Sequence, residues 1–437
     1  MPINTPHPEF NDKKSQVTVD AYEGDVMDYI PQLTKQTQTE YEAYRQRGVF
    51  FNVTRKTTEA MVGAILRKPA IHDVVEEEVS ENITMEELTG QILRDVLLQG
   101  RSGILTDWNE ERQSPMLIKY CRSNIINWRD DMSLIVLEES LYEENPDDAY
   151  ELVAITQYRE LFLDDAGNYS VRIWRKTKTV NGRDQMSIIE ESTPSRRGEP
   201  LKFIPFTFVT PFDTTINSYE PVLLNLAQLN LSHFKTTVDI EHGCHFTALP
   251  QPYIAGDFSD DMGTEVAIGS DSVWQLESDA KVGYLEFSGA GLSQLESRLV
   301  HKEEQMSTIG VTMLTHKGVE SAEALSIKSG SQTATLNNVV TAVESGLRQA
   351  LTFFNYWNGK EQEAQFQLNR DYFGKVLSAV DMKGLMELYL SGGISQETFL
   401  ENLYEGEITP TVAEELVRLQ ESAVEELEEA PVEEPIQ

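Results

Sequence analysis

The chain has 437 residues, of which 72 are acidic and 36 are basic, so its formal net charge is -36. A surface of this charge repels phosphate, which excludes a protein that wraps nucleic acid with a basic face. The same charge keeps a protein in solution, and that role alone would account for it. The length exceeds what one hydrophobic core usually organises, so we expect two or three substructures that share long helices.

The cysteine content and the hydropathy pattern indicate the compartment. Cys121 and Cys244 stand far apart in the sequence and cannot form a disulfide framework, which is typical of a reducing environment. The first residues lack the apolar segment of a signal peptide, and no apolar run is long enough to cross a membrane. We therefore expect synthesis in the cytoplasm and no membrane span.

The N-terminal part predicts an extended arm followed by three helices. Residues 1–20 carry three prolines and many polar side chains, so we expect a loose arm that orders only against a neighbour. One helix is predicted near Leu33–Arg47, and a second begins at the Asn52 cap and ends before Pro69. Thr84, followed by acidic residues, opens a third helix, which Gly100 ends.

The next part of the chain predicts a mostly antiparallel sheet. Apolar and polar residues alternate, and turn signals such as Asn181-Gly182 separate the segments. The predicted strands are Ser102–Asp107, Met116–Tyr120, Leu134–Leu141, Leu152–Leu163, Tyr169–Lys178, Met186–Glu190 and Phe203–Val209.

Two long helices are predicted on either side of a compact insertion. The first begins at Glu220-Pro221 and runs to about His242, because proline suits the first helical turn. Residues 250–291 contain Pro, Gly and Asp between short apolar stretches, which indicates a small β or α/β insertion. The second helix covers Leu292–Ile309, and after a break a longer one runs from Ala322 to Trp357.

The C-terminal part alternates short helices with turns. A strand pair at Gln365–Leu368 precedes predicted helices at Val376–Ser391, Ser395–Tyr404 and Pro410–Leu427. Residues 428–437 are acidic and contain two prolines, so we expect them to be disordered. Together these patterns predict an α+β fold that is predominantly helical.

Sequence motifs for chemistry are scarce. The chain has no GxxxxGK[ST] or GxGxxG phosphate loop, no GxSxG elbow and no HExxH zinc helix. Asp239 and Glu241 precede His242, Cys244 and His245, and these last three could serve a metal-dependent hydrolase. However, Gly243 is expected to interrupt the helix there, and no second group of His or Cys completes a tetrahedral set. The alternative is a helix end that packs against a neighbour.

Several strings resemble one family. They are FFNVTRKTTEAMVGAILRKP at 50–69, NIINWR at 124–129, LKFIPFTFV at 201–209, LAQLNLSHF at 226–234, IGSDSVWQLE at 268–277, MSTIGVTML at 306–314 and GGISQETFLENL at 392–403. With the order of the elements (a long helix, an insertion, a second long helix, a break and a third long helix), these strings are similar to the portal proteins of tailed bacteriophages.

The resemblance implies a division of the chain into regions, with an overall portal-like architecture of wing, stem, clip and crown. The regions are an N-terminal arm and wing (1–218), a first stem helix (219–248), a clip (249–291), a second stem helix (292–309), a tunnel loop (310–322), a long helix returning to the wing (323–375), crown helices (376–427) and a disordered acidic tail (428–437).

The resemblance also implies a ring of 12 subunits around double-stranded DNA at one vertex of the virion, assembled in the bacterial cytoplasm. Expected partners are other copies of the chain, the terminase large subunit, a head–tail adaptor, and the major capsid and scaffolding proteins. No cofactor, metal, catalytic residue or membrane is implied. An acidic bore suits a conduit in which DNA must slide without sticking.

Individual site residues follow from these regions. Thr315, His316 and Lys317 are expected to face DNA in the tunnel loop, with Lys302 and Lys328 behind them, although the last two could equally be solvated lysines. The expected clip contacts are Tyr253, Asp257, Trp274 and Tyr284. The remaining alternative is another phage head–tail structural protein, such as an adaptor, although adaptors are usually much shorter chains.

Overall fold

The computed structural model describes residues 3–10, 12–74, 79–80, 82–145, 148–180, 183–247, 251–255, 280–285, 290–311, 322–370, 372, 379–406, 408–409, 412 and 415–418. The chain divides into two compact units, Met1–Leu368 and Asn369–Gln437. Within the described residues, the sheets and the long helices belong to the larger unit.

The helices of the larger unit include three that exceed 15 residues. The seven helices of this unit's described part are α1 Lys13–Glu23, α2 Gln38–Arg45, α3 Val53–Ile65, α4 Met85–Gln99, α5 Leu224–Thr247, α6 Ala290–Met306 and α7 Ala322–Trp357. Short 3-10 turns cover Met27–Tyr29 and Arg122–Asn124, and a π-helical segment, Ser307–Val311, follows α6.

The strands form several antiparallel sheets. They are β1 Ile71–His72, β2 Ser102–Asn109, β3 Ser114–Cys121, β4 Ile125–Trp128, β5 Leu134–Asn145, β6 Asp148–Leu163, β7 Tyr169–Val180, β8 Arg183–Ser192, β9 Ser195–Arg196, β10 Glu199–Pro200, β11 Phe206–Val209, β12 Gln251–Ala255, β13 Lys281–Leu285 and β14 Phe366–Gln367. The main sheets have the orders β11-β2-β3 and β4-β5-β6-β7-β8. The fold is therefore α+β, as the sequence predicts.

One large cluster of the apolar core lies between these two sheets and the end of helix α7. Phe206, Leu161 and Trp357 belong to one buried cluster that joins strands of both sheets to the end of the helix. The helix approaches strand β11 closely at Gly346, where an added Cβ would lie 2.5 Å from Val209. The predicted bounds of this helix, Ala322–Trp357, are confirmed.

Helix α1 corrects the expectation of a loose arm over residues 1–20. Its residues Ser15, Thr18 and Ala21 are buried, and Ala21 packs in one cluster with Phe234 and Val238 of α5. The prolines that indicated an extended arm all precede this helix in the chain. Small side chains spaced three apart let α1 lie close against α5, a feature that apolar periodicity does not detect.

Capping boxes determine where two helices begin. Thr84 accepts a hydrogen bond from the backbone N–H of Glu87, whose carboxylate accepts one from the N–H of Thr84 in return. Gly100 ends the same helix with a φ of 72°, so both predicted limits of α4 are confirmed. Thr37 forms an equivalent box with Glu40, which starts α2 at Gln38 rather than near the predicted Leu33.

Helix α3 has two caps. The predicted cap, Asn52, accepts a hydrogen bond from the N–H of Arg55, and a second cap comes from a distant segment of the chain. The side-chain oxygen of Asn230, a fully buried residue of α5, accepts hydrogen bonds from the N–H groups of Val53 and Thr54, both at 3.1 Å. Its amide nitrogen donates to the carbonyl of Phe51 at 2.9 Å. One buried amide thus satisfies three backbone groups at a helix start that would otherwise lose their hydration.

The smaller unit contains two short helices, α8 Ala379–Leu390 and α9 Gln396–Glu405. Tyr389 of α8 stacks on Phe399 of α9 with ring centroids 4.8 Å apart. Both helices match the predicted ones near Val376–Ser391 and Ser395–Tyr404. Most of the predicted helix at Pro410–Leu427, and the whole acidic tail 428–437, lie outside the described residues.

Among the residues that the structure describes, no helix combines the length and the apolar character that a membrane crossing requires.

Replacing Asn230 by alanine should destabilise the larger unit, because it leaves buried backbone groups at the start of α3 without partners. We expect the free energy of unfolding to fall by about 2–4 kcal/mol in urea denaturation followed by tryptophan fluorescence. The matched control is Asn225→Ala, an exposed position on the same helix, which should change stability by less than about 0.5 kcal/mol. Equal stability of the two variants would contradict the capping role.

Candidate functional site: two antiparallel helices and a β-hairpin

Helices α5 and α6 pack against each other in opposite directions. Position 243 of α5 lies beside 292 of α6, whereas 233 lies beside 303. Their 24 and 17 residues correspond to lengths of about 36 and 26 Å. Between them in sequence, β12 pairs with β13 as an antiparallel hairpin. The structure thus contains a long helix pair with a small sheet inserted at one end.

Gly243 has a packing role that corrects the sequence interpretation. The sequence predicts that it interrupts the helix, but α5 continues through it to Thr247. A Cβ at this glycine would lie 2.6 Å from Leu292 Cδ2, so the missing side chain lets the two helices approach closely. Helical glycine costs about 1 kcal/mol relative to alanine, and close packing offsets that cost here.

Polar contacts join the middle of the helix pair. The ammonium of Lys302 donates to the carbonyl of Ser232 at 2.8 Å and to Thr236 Oγ1 at 2.7 Å. His233, only 5% exposed, lies with its Nε2 3.2 Å from a Glu303 carboxylate oxygen. Burial lowers the pKa of the Lys302 ammonium, and the nearby Arg298 cation lowers it further. These contacts determine how α6 is rotated and shifted relative to α5.

The predicted apolar face of α6 is only partly covered. Leu292, Leu295 and Leu299 are half-buried and Met306 is buried, but Ile309, in the π-helical segment that follows, is 41% exposed. Val300, on the outer side of the helix, is 54% exposed. A π-helical segment is often found at functional sites, and this one overlaps the first two residues of the predicted tunnel loop, 310–322.

The hairpin presents aromatic side chains to solvent. Tyr253 is 47% exposed and Tyr284 is 64% exposed. The ring of Tyr253 lies over Gly283 of the paired strand, where an added Cβ would be 2.9 Å from the ring. Glycine therefore provides the flat surface on which this ring rests, and the hairpin combines a rigid aromatic surface with solvent access.

The cluster around His242 has partners that oppose a metal ion. Arg47 lies with Nη1 2.8 Å from His242 Nδ1, and the Tyr44 ring packs edge-on against the imidazole at 4.8 Å. The Tyr44 hydroxyl donates to Asp239. Burial lowers the pKa of His242, and the Arg47 cation adds to this. The Arg47 cation repels a second cation, which opposes metal binding at His242. The contacts of Tyr44 with Asp239 and His242 join α2 to α5.

The lack of a metal site extends to every candidate ligand among the residues that the structure describes. Among the described residues, no three His, Cys, Asp or Glu side chains are arranged to hold a metal ion, and this includes the sequence candidates His242, Cys244 and His245.

The predicted DNA-facing residues divide into three groups. Thr315, His316 and Lys317 lie outside the described residues. Lys328 lies within helix α7. The ammonium of Lys302 donates hydrogen bonds to Ser232 and Thr236 of α5, as described above.

The predicted hairpin contacts divide in the same way. Tyr253 and Tyr284 lie on the paired strands β12 and β13, whereas Asp257 and Trp274 lie outside the described residues.

Sequence reasoning missed Asn230, which the string LAQLNLSHF contains as one polar residue on an otherwise apolar helix face. A buried amide among leucines is the signal that could have identified it.

One known family model matches the region of the helix pair. Residues 222–358, from the start of α5 to the end of α7, match a family described as a domain of unknown function (DUF4055). No curated protein matches the chain.

Similar solved structures include particles and a phage protein. One is described as the virion of a native gene transfer agent particle, with 14% identity, coverage of 91% of this chain and 100% of that chain, and a TM-score of 0.44. The neck of a native gene transfer agent particle has 13% identity, 90% and 100% coverage, and a TM-score of 0.44. An HK97 family phage portal protein from Corynebacterium diphtheriae has 11% identity, 78% and 97% coverage, and a TM-score of 0.31.

Replacing Lys302 by methionine should loosen the helix pair, because the side chain keeps its apolar stem but loses both hydrogen bonds to α5. We expect faster amide hydrogen exchange in Ala290–Met306 and a loss of stability of about 1–2 kcal/mol. Arg298→Met, an exposed cation one turn away, is the matched control and should change neither quantity. Equal exchange in both variants would remove the proposed role of Lys302.

Proposed function

We propose that the chain is the portal subunit of a tailed phage, forming a ring through which double-stranded DNA enters and leaves the virion. The observation that carries the proposal is the antiparallel pair α5 and α6, with a β-hairpin inserted between them and a third long helix following. Of the strings that resemble portal proteins, LAQLNLSHF falls on α5, and NIINWR and LKFIPFTFV overlap strands β4 and β11 of the sheets before it.

In this proposal the helix pair is the stem, with residues 219–248 and 292–309. The hairpin belongs to the clip, residues 249–291, and its exposed Tyr253 and Tyr284 contact the terminase large subunit or a head–tail adaptor. Exposed aromatic residues on a rigid support are typical of interface anchors. The sheets and helices of 1–218 form the wing, which faces the capsid.

The charge of the chain supports a conduit rather than a tight binder. Twelve copies would surround the DNA with twelve times the -36 of one chain. Repulsion spread along a bore prevents any position from trapping the duplex, whereas clustered cations would hold it through phosphate contacts. Local contacts are assigned to the tunnel loop, residues 310–322, with Thr315, His316 and Lys317. Lys302 is not included among these DNA contacts, because its ammonium donates hydrogen bonds to Ser232 and Thr236 of α5.

Other functions have less support. A metal-dependent hydrolase would use His242, Cys244 and His245, but Arg47 and Tyr44 already contact the first of these. An adaptor or minor capsid protein would belong to the same head–tail apparatus, yet the long helix pair around a hairpin has no role in a short adaptor. Docking to capsid and scaffolding proteins, and location at one capsid vertex, follow from the portal proposal.

Purified protein should form closed rings of 12 or 13 subunits, because the stem helices expose apolar positions such as Val300 that neighbours would cover. Mass photometry should give a particle mass of 12 or 13 times the 49.5 kDa of one chain, and negative-stain electron microscopy should reveal a central hole. A monomer at micromolar concentration, without rings in the micrographs, would contradict the proposal.

Reversing the charge of Lys317 tests the tunnel loop. Lys317→Glu should leave ring assembly unchanged but lower the yield of nuclease-resistant, packaged DNA at least tenfold, since it replaces a phosphate contact by repulsion. The matched control is Lys360→Glu, an exposed lysine outside residues 310–322, which should package like the natural chain. Normal packaging by Lys317→Glu would remove this residue from the proposed DNA-facing set.

A further inference from the structure

The five-stranded sheet divides into two separate hairpins at one end. Strand β6 pairs with β7 only as far as Gln157 and Arg175. Beyond that point β5 and β6 continue together to Asn145 and Asp148, while β7 and β8 continue together to Val180 and Arg183. We name residues 140–156 the acidic hairpin and residues 176–186 the basic hairpin.

The acidic hairpin is uncovered on both faces. Tyr142 and Leu152 are 71% and 60% exposed, and Leu141 and Val153, which point to the opposite face, are 37% and 44% exposed. Tyr150 is 98% exposed. Because neighbouring residues of a strand alternate between faces, no single layer of this chain could cover them all. Apolar side chains grouped on both sides of a protruding ribbon are typical of a surface that a partner covers.

The backbone of the same hairpin has an open edge. Within the described residues, Asp148 and positions 152–156 of β6 are paired with β5 on one side, and positions 148–156 are paired with no strand on the other. Natural proteins usually protect such an edge with proline, lysine or a bulge. This stretch contains neither proline nor lysine and its sequence is DAYELVAIT. An edge of this kind can accept another strand through main-chain hydrogen bonds.

The two hairpins carry opposite charge. Residues 140–156 contain five acidic and no basic side chains, whereas residues 176–186 contain three basic and one acidic. Within the chain, Arg175 and Glu143 form an ion pair of 2.7 Å at the point where the hairpins separate. A second copy of the chain would bring its own basic hairpin and so offers a complementary charge, which a partner of unspecified sequence does not.

We propose that the acidic hairpin of one subunit packs against the basic hairpin of the next copy, with the open edge of β6 covered by the neighbour. The inference rests on the proposed ring and names the wing surface that closes it. Because each chain carries both hairpins, the contact is head-to-tail, and a head-to-tail contact gives a closed ring when its rotation about the axis closes. The apolar side chains on both faces then lie inside the interface.

Paired charge swaps test this contact. The first variant carries Glu144→Lys, Asp147→Lys and Glu151→Lys, and the second carries Lys176→Glu, Lys178→Glu and Arg183→Glu. Each variant alone has two hairpins of like charge, so we expect at least a tenfold loss of rings by mass photometry at low ionic strength. Mixed in equal amounts, the two variants should recover rings in which they alternate.

A control separates the hairpin contact from a general effect of charge. Glu110→Lys, Glu111→Lys and Glu199→Lys together change the net charge as much as the first variant, at exposed positions outside both hairpins. This triple variant should assemble like the natural chain. Thermal unfolding of each variant verifies folding, and the second variant alone tests the contact if the first fails to fold.

The outcomes distinguish this contact from the ring itself. If each charge variant alone forms rings as the natural chain does, the hairpin contact is wrong and the ring stands. If the variants lose rings but the mixture does not recover them, the pairing of these two hairpins with each other is wrong. If the natural chain is itself monomeric, the ring and the contact both fail.

Discussion

The constraint on which the rest of this structure depends is the burial of helix α5 on several sides at once. Its inner face packs against α1 through Phe234 and Val238, and its buried Asn230 caps α3. Lys302 of α6 donates to Ser232 and Thr236 of α5, and Glu303 lies against His233. A buried amide leaves donors and acceptors unsatisfied when it is displaced, so α5 has one rotation and one register. The position of α6 follows from it.

This arrangement separates a rigid part of the chain from surfaces that one copy leaves uncovered. The inner end of the helix pair is held by the core, while the outer side of α6, the hairpin β12–β13 and the forked sheet present apolar groups to solvent. Polar contacts between α5 and α6 specify geometry more than they add stability, since each buried charge must first lose its water. In a ring, the same uncovered surfaces are where neighbours and docking partners would meet.

Individual residues illustrate how far sequence reasoning reached. Thr84 and Gly100 limit α4 as expected, because capping chemistry depends only on residues a few positions apart. Gly243 was interpreted as a helix break, yet it is the point where Leu292 packs. Lys302 was predicted behind the DNA-facing residues, and the structure adds that its ammonium donates to Ser232 and Thr236 of α5. Neither packing contact could be read from the sequence, because the sequence does not identify the facing helix.

The sequence by itself determined the α+β class, the order of long helices around an insertion, most strands and the acidic character of the chain. These depend on periodicity, caps and composition, which are local or additive properties. Only the tertiary structure decided that α1 lies folded against α5, that Asn230 caps a helix 176 positions away in sequence, and that the sheet forks into hairpins of opposite charge. Those features arise from contacts between distant segments, whose free energy exists only once the chain has brought them together.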